Sequence, residues 1–120
     1  MAKVLLIDDD GAYARMMDIL FKMKKIEFRY ETDGNKAIDA YRQMQPDIIL
    51  LDVNLGIDKT GIDILREIRK KDRKTKVILI SGLVDANKYY DAAKELEIQE
   101  FMNKPIAPDK LLQKIKELCG

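Results

Sequence analysis

The sequence predicts an α/β protein, a parallel sheet covered by helices on both faces, and three observations carry that prediction. Short apolar runs alternate with stretches of helical periodicity through the 120 residues. The runs "VLLI", "IILL" and "VILI" are apolar throughout, as strands buried on both faces must be, where a half-exposed strand would alternate with polar residues. No linker or low-complexity segment breaks the alternation, so a single domain over 1–120 is expected, a length that suits one core and is too short for two.

Val4 to Ile7 is the first strand, and Gly11 to about Lys24 the first helix, with Met17, Leu20 and Phe21 at helical spacing. Glu27 to Tyr30 forms a second strand, less apolar and suited to an edge. After the Asp33-Gly34 turn, Ala37, Ala40, Tyr41 and Met44 share one face of a helix that Pro46 ends. "PDIILLD", Pro46 to Asp52, is the strongest strand of the chain. It leads through a loop with Gly56 and Gly61 into a helix carrying Ile62, Leu65 and Ile68. "KVILIS", Lys76 to Ser81, is the fourth strand, with its helix over Asn87 to about Leu96. "EFMNKP", Glu100 to Pro105, is a short fifth strand, and Leu111, Leu112, Ile115 and Leu118 stripe the last helix. The basic run Arg66 to Lys76 reads as the solvated C-terminal end of the third helix, where cations suit the helix dipole.

Composition excludes several functions. With 22 basic against 21 acidic side chains the formal charge is +1, so bulk charge suggests neither nucleic acid nor an anionic membrane as partner. The apolar runs fall far short of the roughly 18 residues that span a bilayer, and the N-terminus has no signal-peptide pattern; a cytoplasmic location is expected. Cys119 is the lone cysteine, which rules out an intramolecular disulfide or a cysteine metal site. Histidine is absent, and with it the usual general base and the usual nitrogen ligand of zinc. Chemistry must come from carboxylates, lysine, hydroxyls and a metal that prefers oxygen.

In a parallel sheet, ligands bind beyond the carboxyl ends of the strands, so the residues that end each apolar run matter most. The first strand ends in Asp8, Asp9 and Asp10, the third in Asp52, the fourth in Ser81, and the fifth in Lys104 before Pro105. Singly, each has a bland explanation as a helix cap or turn residue. Together they describe one concave site, because neighbouring strands lie about 4.8 Å apart and carboxylates closing the first and third must meet. Two unit charges 4 Å apart repel by about 4 kcal/mol at an effective dielectric near 20, so the cluster needs counter-charge. Lys104 supplies one unit, and Mg²⁺, which takes one or two carboxylates plus a phosphate oxygen, supplies two. The constellation therefore predicts Mg²⁺ and a phosphoryl group.

This set of residues resembles the receiver domain of two-component response regulators, over Val4 to the end of the last helix. The resemblance implies a flavodoxin-like (βα)5 fold, doubly wound with strand order 2-1-3-4-5. It implies that Asp52 takes the phosphoryl group from a phosphohistidine on a sensor histidine kinase or histidine phosphotransfer protein. Asp9 would bind Mg²⁺ directly and Asp8 mainly through water, with the Asn54 backbone carbonyl as a third protein ligand, while Lys104 and the Ser81 hydroxyl each take a phosphoryl oxygen. It further implies a signalling domain that catalyses its own phosphorylation and dephosphorylation and is no conventional turnover enzyme. Ser81 and Phe101 would switch the surface of the fourth helix, fifth strand and fifth helix toward a downstream target or effector domain, without direct contact to nucleic acid.

The sequence departs from the family pattern in places. Leu55-Gly56 stands where Met-Pro is common, and Gly61 comes one residue late, as if the loop held an insertion. A second extra residue lies between Ser81 and Lys104, near the start of the fourth helix. Phe101 lacks the hydroxyl of the tyrosine common there, and Asn54 and Leu83 occupy positions tied to acyl-phosphate lifetime, Leu83 as an apolar shield. A rival reading takes "LLIDDDG" as the Asp-x-Asp of a haloacid-dehalogenase-type phosphatase, with Asp8 as nucleophile and Asp10 as acid/base. That reading leaves Asp52 unexplained.

Overall fold

Side-chain parity along the strands sorts the apolar residues into two cores. A computed structural model of the chain describes residues 2–55 and 60–120, and the side chains of all of these but 83–87. Strands β1 (Lys3–Ile7), β2 (Glu27–Glu31), β3 (Ile48–Asp52), β4 (Lys76–Ser81) and β5 (Glu100–Asn103) form one sheet in the order β2-β1-β3-β4-β5, every pair parallel. The helices are α1 (Gly11–Met23), α2 (Ala37–Met44), α3 (Gly61–Arg69), α4 (Leu83–Glu95) and α5 (Pro108–Cys119), with a 3-10 turn, Gly34–Lys36, leading into α2. This is the doubly wound order that the family resemblance implies.

Successive strand side chains point to opposite faces. Val4, Leu6, Ile48, Leu50, Ile78 and Ile80 therefore pack against Ala14, Met17 and Phe21 of α1 and Leu111, Leu112 and Ile115 of α5. Leu5, Ile7, Ile49, Leu51, Val77 and Leu79 face the other way, toward Ala37 and Ala40 of α2, Leu65 and Ile68 of α3 and Ala93 of α4. Each buried Leu or Ile contributes about 1.5–3 kcal/mol, so β1, β3 and β4 form a rigid floor. At the edge, β2 buries only Phe28, in keeping with its weaker apolar run.

The structure corrects some boundaries. α4 begins at Leu83, well before Asn87, because Gly82 serves as an extended N-cap; glycine is tolerated there but offers no capping side chain to mark the start. β5 stops at Asn103 short of Pro105, whose missing N–H cannot extend the ladder. β3 begins at Ile48, since Gln45 in the left-handed region and Pro46 still belong to the end of α2, and the Asp47 carboxylate accepts the Lys3 N–H at 2.8 Å. Within the basic run, Arg69 is not solvated. It is 2% exposed, and its guanidinium donates to the carbonyls of Leu96 (2.8 Å), Asp72 (3.1 Å) and Glu97 (3.2 Å), tying the end of α3 to the turn after α4. Among the described residues no helix is long and apolar enough to cross a membrane.

Candidate functional site

The register that sets Val4 opposite Ile48 and Leu6 opposite Leu50 continues on the same face to Asp8 and Asp52. Apolar parity thus delivers two carboxylates side by side at the carboxyl edge of the sheet, Asp8 fully buried and Asp52 3% exposed. The Asp8 N–H donates to the Glu31 carbonyl at 3.2 Å, and Asp8 Oδ1 accepts the Asp10 N–H at 3.0 Å, which bends the acidic run over the strand end. Asp10 Oδ1 accepts the Tyr13 N–H at 3.1 Å and is the N-cap of α1. Asp9 stays exposed, and oxygens of Asp8, Asp9 and Asp52 lie within 4.8 Å of one another.

Lys104, just past β5, reaches across to this cluster. Its Nζ donates to Asp52 Oδ2 at 3.0 Å and meets Asp8 Oδ2 at 3.1 Å as an ion pair without hydrogen-bond alignment. Burial pushes the Asp52 carboxyl up, Asp8 pushes it further, and Lys104 with the Asn54 N–H pulls it back; the outcome is about 6. Burial works against the Lys104 ammonium, but its bonds to Asp52 and Asp8 outweigh that and raise it. Burial and Asp8 thus make ionised Asp52 costly, and a cation at the site would relieve that cost.

The other residues picked out by the sequence fall into place unevenly. Asn54 donates its N–H to Asp52 Oδ1 at 3.1 Å and bridges Thr60 across the loop, so its backbone is held beside the cluster. Ser81 is buried at the end of β4, but its hydroxyl donates to the Gly82 carbonyl at 3.1 Å and makes no bond to Asp52. Phe101 lies opposite Leu79, below the strand ends, and packs on the core facing α2, α3 and α4. Leu55 is buried in that same core; the proposed insertion at Gly56 lies outside the described residues, as does the Leu83 side chain expected to shield a phosphate. Gly61 is needed for close approach, since a Cβ there would sit 2.2 Å from the Asp52 carbonyl oxygen.

Sequence reasoning missed Tyr13. The Lys104 ammonium lies over its ring, 5.7 Å from the centroid. An aromatic residue three positions after an N-capping aspartate was the available signal, and it does not by itself point to a lysine 91 residues further along the chain.

The residues fit a hard divalent cation. Asp8, Asp9 and Asp52 bring three carboxylates together, and the Lys104 ammonium paired with Asp8 and Asp52 offsets only one unit of their charge; the buried Asp8 Oδ2 accepts no hydrogen bond besides that ion pair, so further positive charge would be favourable there. The donors are oxygens only, and exposed Asp9 leaves one side open to water, which Mg²⁺ retains.

With this geometry established, comparison with known proteins is specific. The family model described as response regulator receiver domain matches residues 4–116. The chain is 31% identical over 120 residues to the chemotaxis protein CheY of Thermotoga maritima, covering 98% of each. It is 34% identical over 116 residues to the cell cycle response regulator CtrA of Brucella ovis, covering 94% of this chain but 48% of that one. A crystal structure of a response regulator signal receiver domain from Bermanella marisrubri superposes with a TM-score of 0.84 at 25% identity over 98% of both chains. CheY4 of Vibrio cholerae, at 23% identity and a TM-score of 0.86, shares the fold. The phosphatase alternative finds no support: the family model that matches is the receiver domain, and the relatives are response regulators and a chemotaxis protein.

Proposed function

Because the chain belongs to the response regulator receiver domain family, we propose that Asp52 accepts a phosphoryl group from a phosphohistidine on a partner kinase or phosphotransfer protein. The observation that carries this reading is Asp52 itself: buried at a strand end, hydrogen-bonded to Lys104 and within reach of two further aspartates. An Asp52 oxygen attacks phosphorus in line, the P–N bond breaks, and the imidazole leaves with its electron pair, so that Asp52 becomes an acyl phosphate. Such transfer needs positioning and charge neutralisation more than covalent help. In this reading Lys104 holds one equatorial oxygen, and the Ser81 hydroxyl, once turned from Gly82, another. The Asn54 N–H steadies the Asp52 carboxylate for attack. Asp8, Asp9, Asp52 and the Asn54 carbonyl would hold Mg²⁺, which supplies electrostatic stabilisation of the phosphoryl oxygens. With no histidine in these 120 residues, the phosphohistidine lies outside them, and the reading carries a cytoplasmic location with it.

The output surface in this reading is α4, β5 and α5. Phe101 contributes there to a groove of about 490 Å³ between β5 and α5, with Met102, Ile106, Lys110 and Lys114. A target protein or an attached effector domain would read changes in that groove when Ser81 and Phe101 move.

Incubation with Mg²⁺ and acetyl phosphate, followed by intact mass, tests the assignment. Wild type should gain one phosphoryl adduct that Asp52→Asn lacks; an equal adduct on the variant overturns the role of Asp52.

A further inference from the structure

Tyr13 is positioned twice over. The Asp10 carboxylate holds its N–H, which ties the first turn of α1 to the acidic run. Its side chain packs against the core under α1 and α5. Held there, its ring carries the Lys104 ammonium at 5.7 Å, inside the roughly 6 Å reach of a cation–π attraction. The same ammonium touches Asp52 and Asp8. Its side chain is 35% exposed, on a flexible four-carbon stem that is free to swing toward water unless something retains it.

We infer that Tyr13 is a positioning residue for phosphoryl transfer, its ring face holding the Lys104 ammonium where an equatorial oxygen of the phosphoryl group arrives. The inference rests on the receiver reading of Asp52. Its logic is that both carboxylates now holding Lys104 are engaged otherwise during the reaction, Asp52 by phosphorus and Asp8 by the cation site. Tyr13 alone among these neighbours keeps its place, since cap and core fix it independently of the chemistry. A neutral ring also attracts the ammonium without adding negative charge in the path of an incoming phosphoryl group. Burial and Asp8 push the phenol above its ordinary value, so the ring stays uncharged near neutrality.

The test compares wild type, Tyr13→Phe and Tyr13→Leu in the full chain with two readouts. One is the rate of Asp52 phosphorylation by acetyl phosphate with Mg²⁺; the other is the NMR shift of the Lys104 CεH₂ protons, read without phosphodonor, where ring current moves them upfield. The Phe variant keeps the upfield shift and a rate within about twofold of wild type. The Leu variant loses the shift and slows by about three- to thirtyfold, the range expected for loss of a partly desolvated cation–π contact. A Leu variant phosphorylated at the wild-type rate overturns the inference. Whether or not that variant folds, so does a Phe variant slowed more than about fivefold, or a wild-type Lys104 resonance with no ring-current shift. A wild type that gains no Asp52-dependent adduct overturns the receiver reading instead, and the Lys104 resonance, recorded separately, tells the two failures apart.

Discussion

At Asp52 the fold places a carboxylate where ionisation is costly. Its carboxyl is raised to about 6 from an ordinary value near 3.8, so the folded state binds its proton more tightly than the unfolded chain does. Folding is then unpenalised by this group below about pH 4, loses stability as pH rises through 4 to 6, and carries the full penalty above. Two pKa units correspond to about 3 kcal/mol at most. Asp52→Asn should therefore match wild type in stability near pH 4 and exceed it by about 1–3 kcal/mol at pH 7.5 without Mg²⁺, measured by urea denaturation at both pH values. A gap that shrinks with rising pH would contradict the burial argument. Asp9, exposed at the mouth, gives a complementary test. A ligand that binds only the folded state at a hundred times its Kd stabilises by about 2.7 kcal/mol, so Mg²⁺ should raise the wild-type melting temperature. Asp9→Asn should lose most of that rise while its metal-free melting temperature stays within about 2 °C of wild type, since exposed positions rarely matter by more than about 0.5 kcal/mol.

At the scale of elements, the site depends on how closely α3 meets the end of β3. Gly61 donates its N–H to the Val53 carbonyl at 2.7 Å, and Thr60 and Asp63 form a capping box at the same point. With the Asp52 backbone in the way of any Cβ, Gly61→Ala must push the helix or the strand end aside. It should cost about 1–3 kcal/mol and also slow Asp52 phosphorylation, whereas Thr60→Ala should cost about 1 kcal/mol with a smaller effect on rate. Chemical denaturation paired with the acetyl phosphate assay separates the two; an alanine at 61 that changes neither would show that the approach relaxes freely. The parts of the fold legible in the sequence were those with a local cause. Val4 to Ile7, Ile48 to Leu51 and Val77 to Ile80 are apolar because both faces of the strand are covered, and the polar residue ending each run stands out against it. The start of α4 was illegible because Gly82 caps it without a capping side chain. Arg69 and Tyr13 were illegible for a different reason: their partners, the carbonyls of Leu96 and Glu97 and the ammonium of Lys104, come from distant segments that only the assembled sheet brings close. A basic run shows that arginines are present and says nothing about which one turns inward.

Across the whole molecule, the two ends of the sheet divide the work. The carboxyl edge gathers the charged cluster, while the amino edge is tied by Arg69 and by Asp72, whose carboxylate accepts from Tyr41 and Thr75 side chains and from the Thr75 and Lys74 amides. Burial alone would raise the Asp72 carboxyl, but these donors hold it well below the usual carboxylate range, and burial with the Asp72 bond pushes Tyr41 up to about 12. α4 is thereby fastened at its C-terminal end, where Ala93 is buried and Arg69 grips the following turn, and capped only by Gly82 at the end next to Ser81. Removing the clamp should weaken the fold without touching the chemistry. Arg69→Met leaves three carbonyls without their donors, a change of about 2–4 kcal/mol by analogy with other buried charged hydrogen bonds, or roughly 8–15 °C in melting temperature for a domain of this size. Phosphorylation by acetyl phosphate at 10 °C, well inside the folded range, should stay within about twofold of wild type, because clamp and site are separated by the length of the strands, about 3.3 Å per residue. A variant that melts like wild type would show that the carbonyls find water in place of Arg69. One that folds but is phosphorylated tenfold more slowly would show that the fastening of α4 reaches the acid cluster through the sheet.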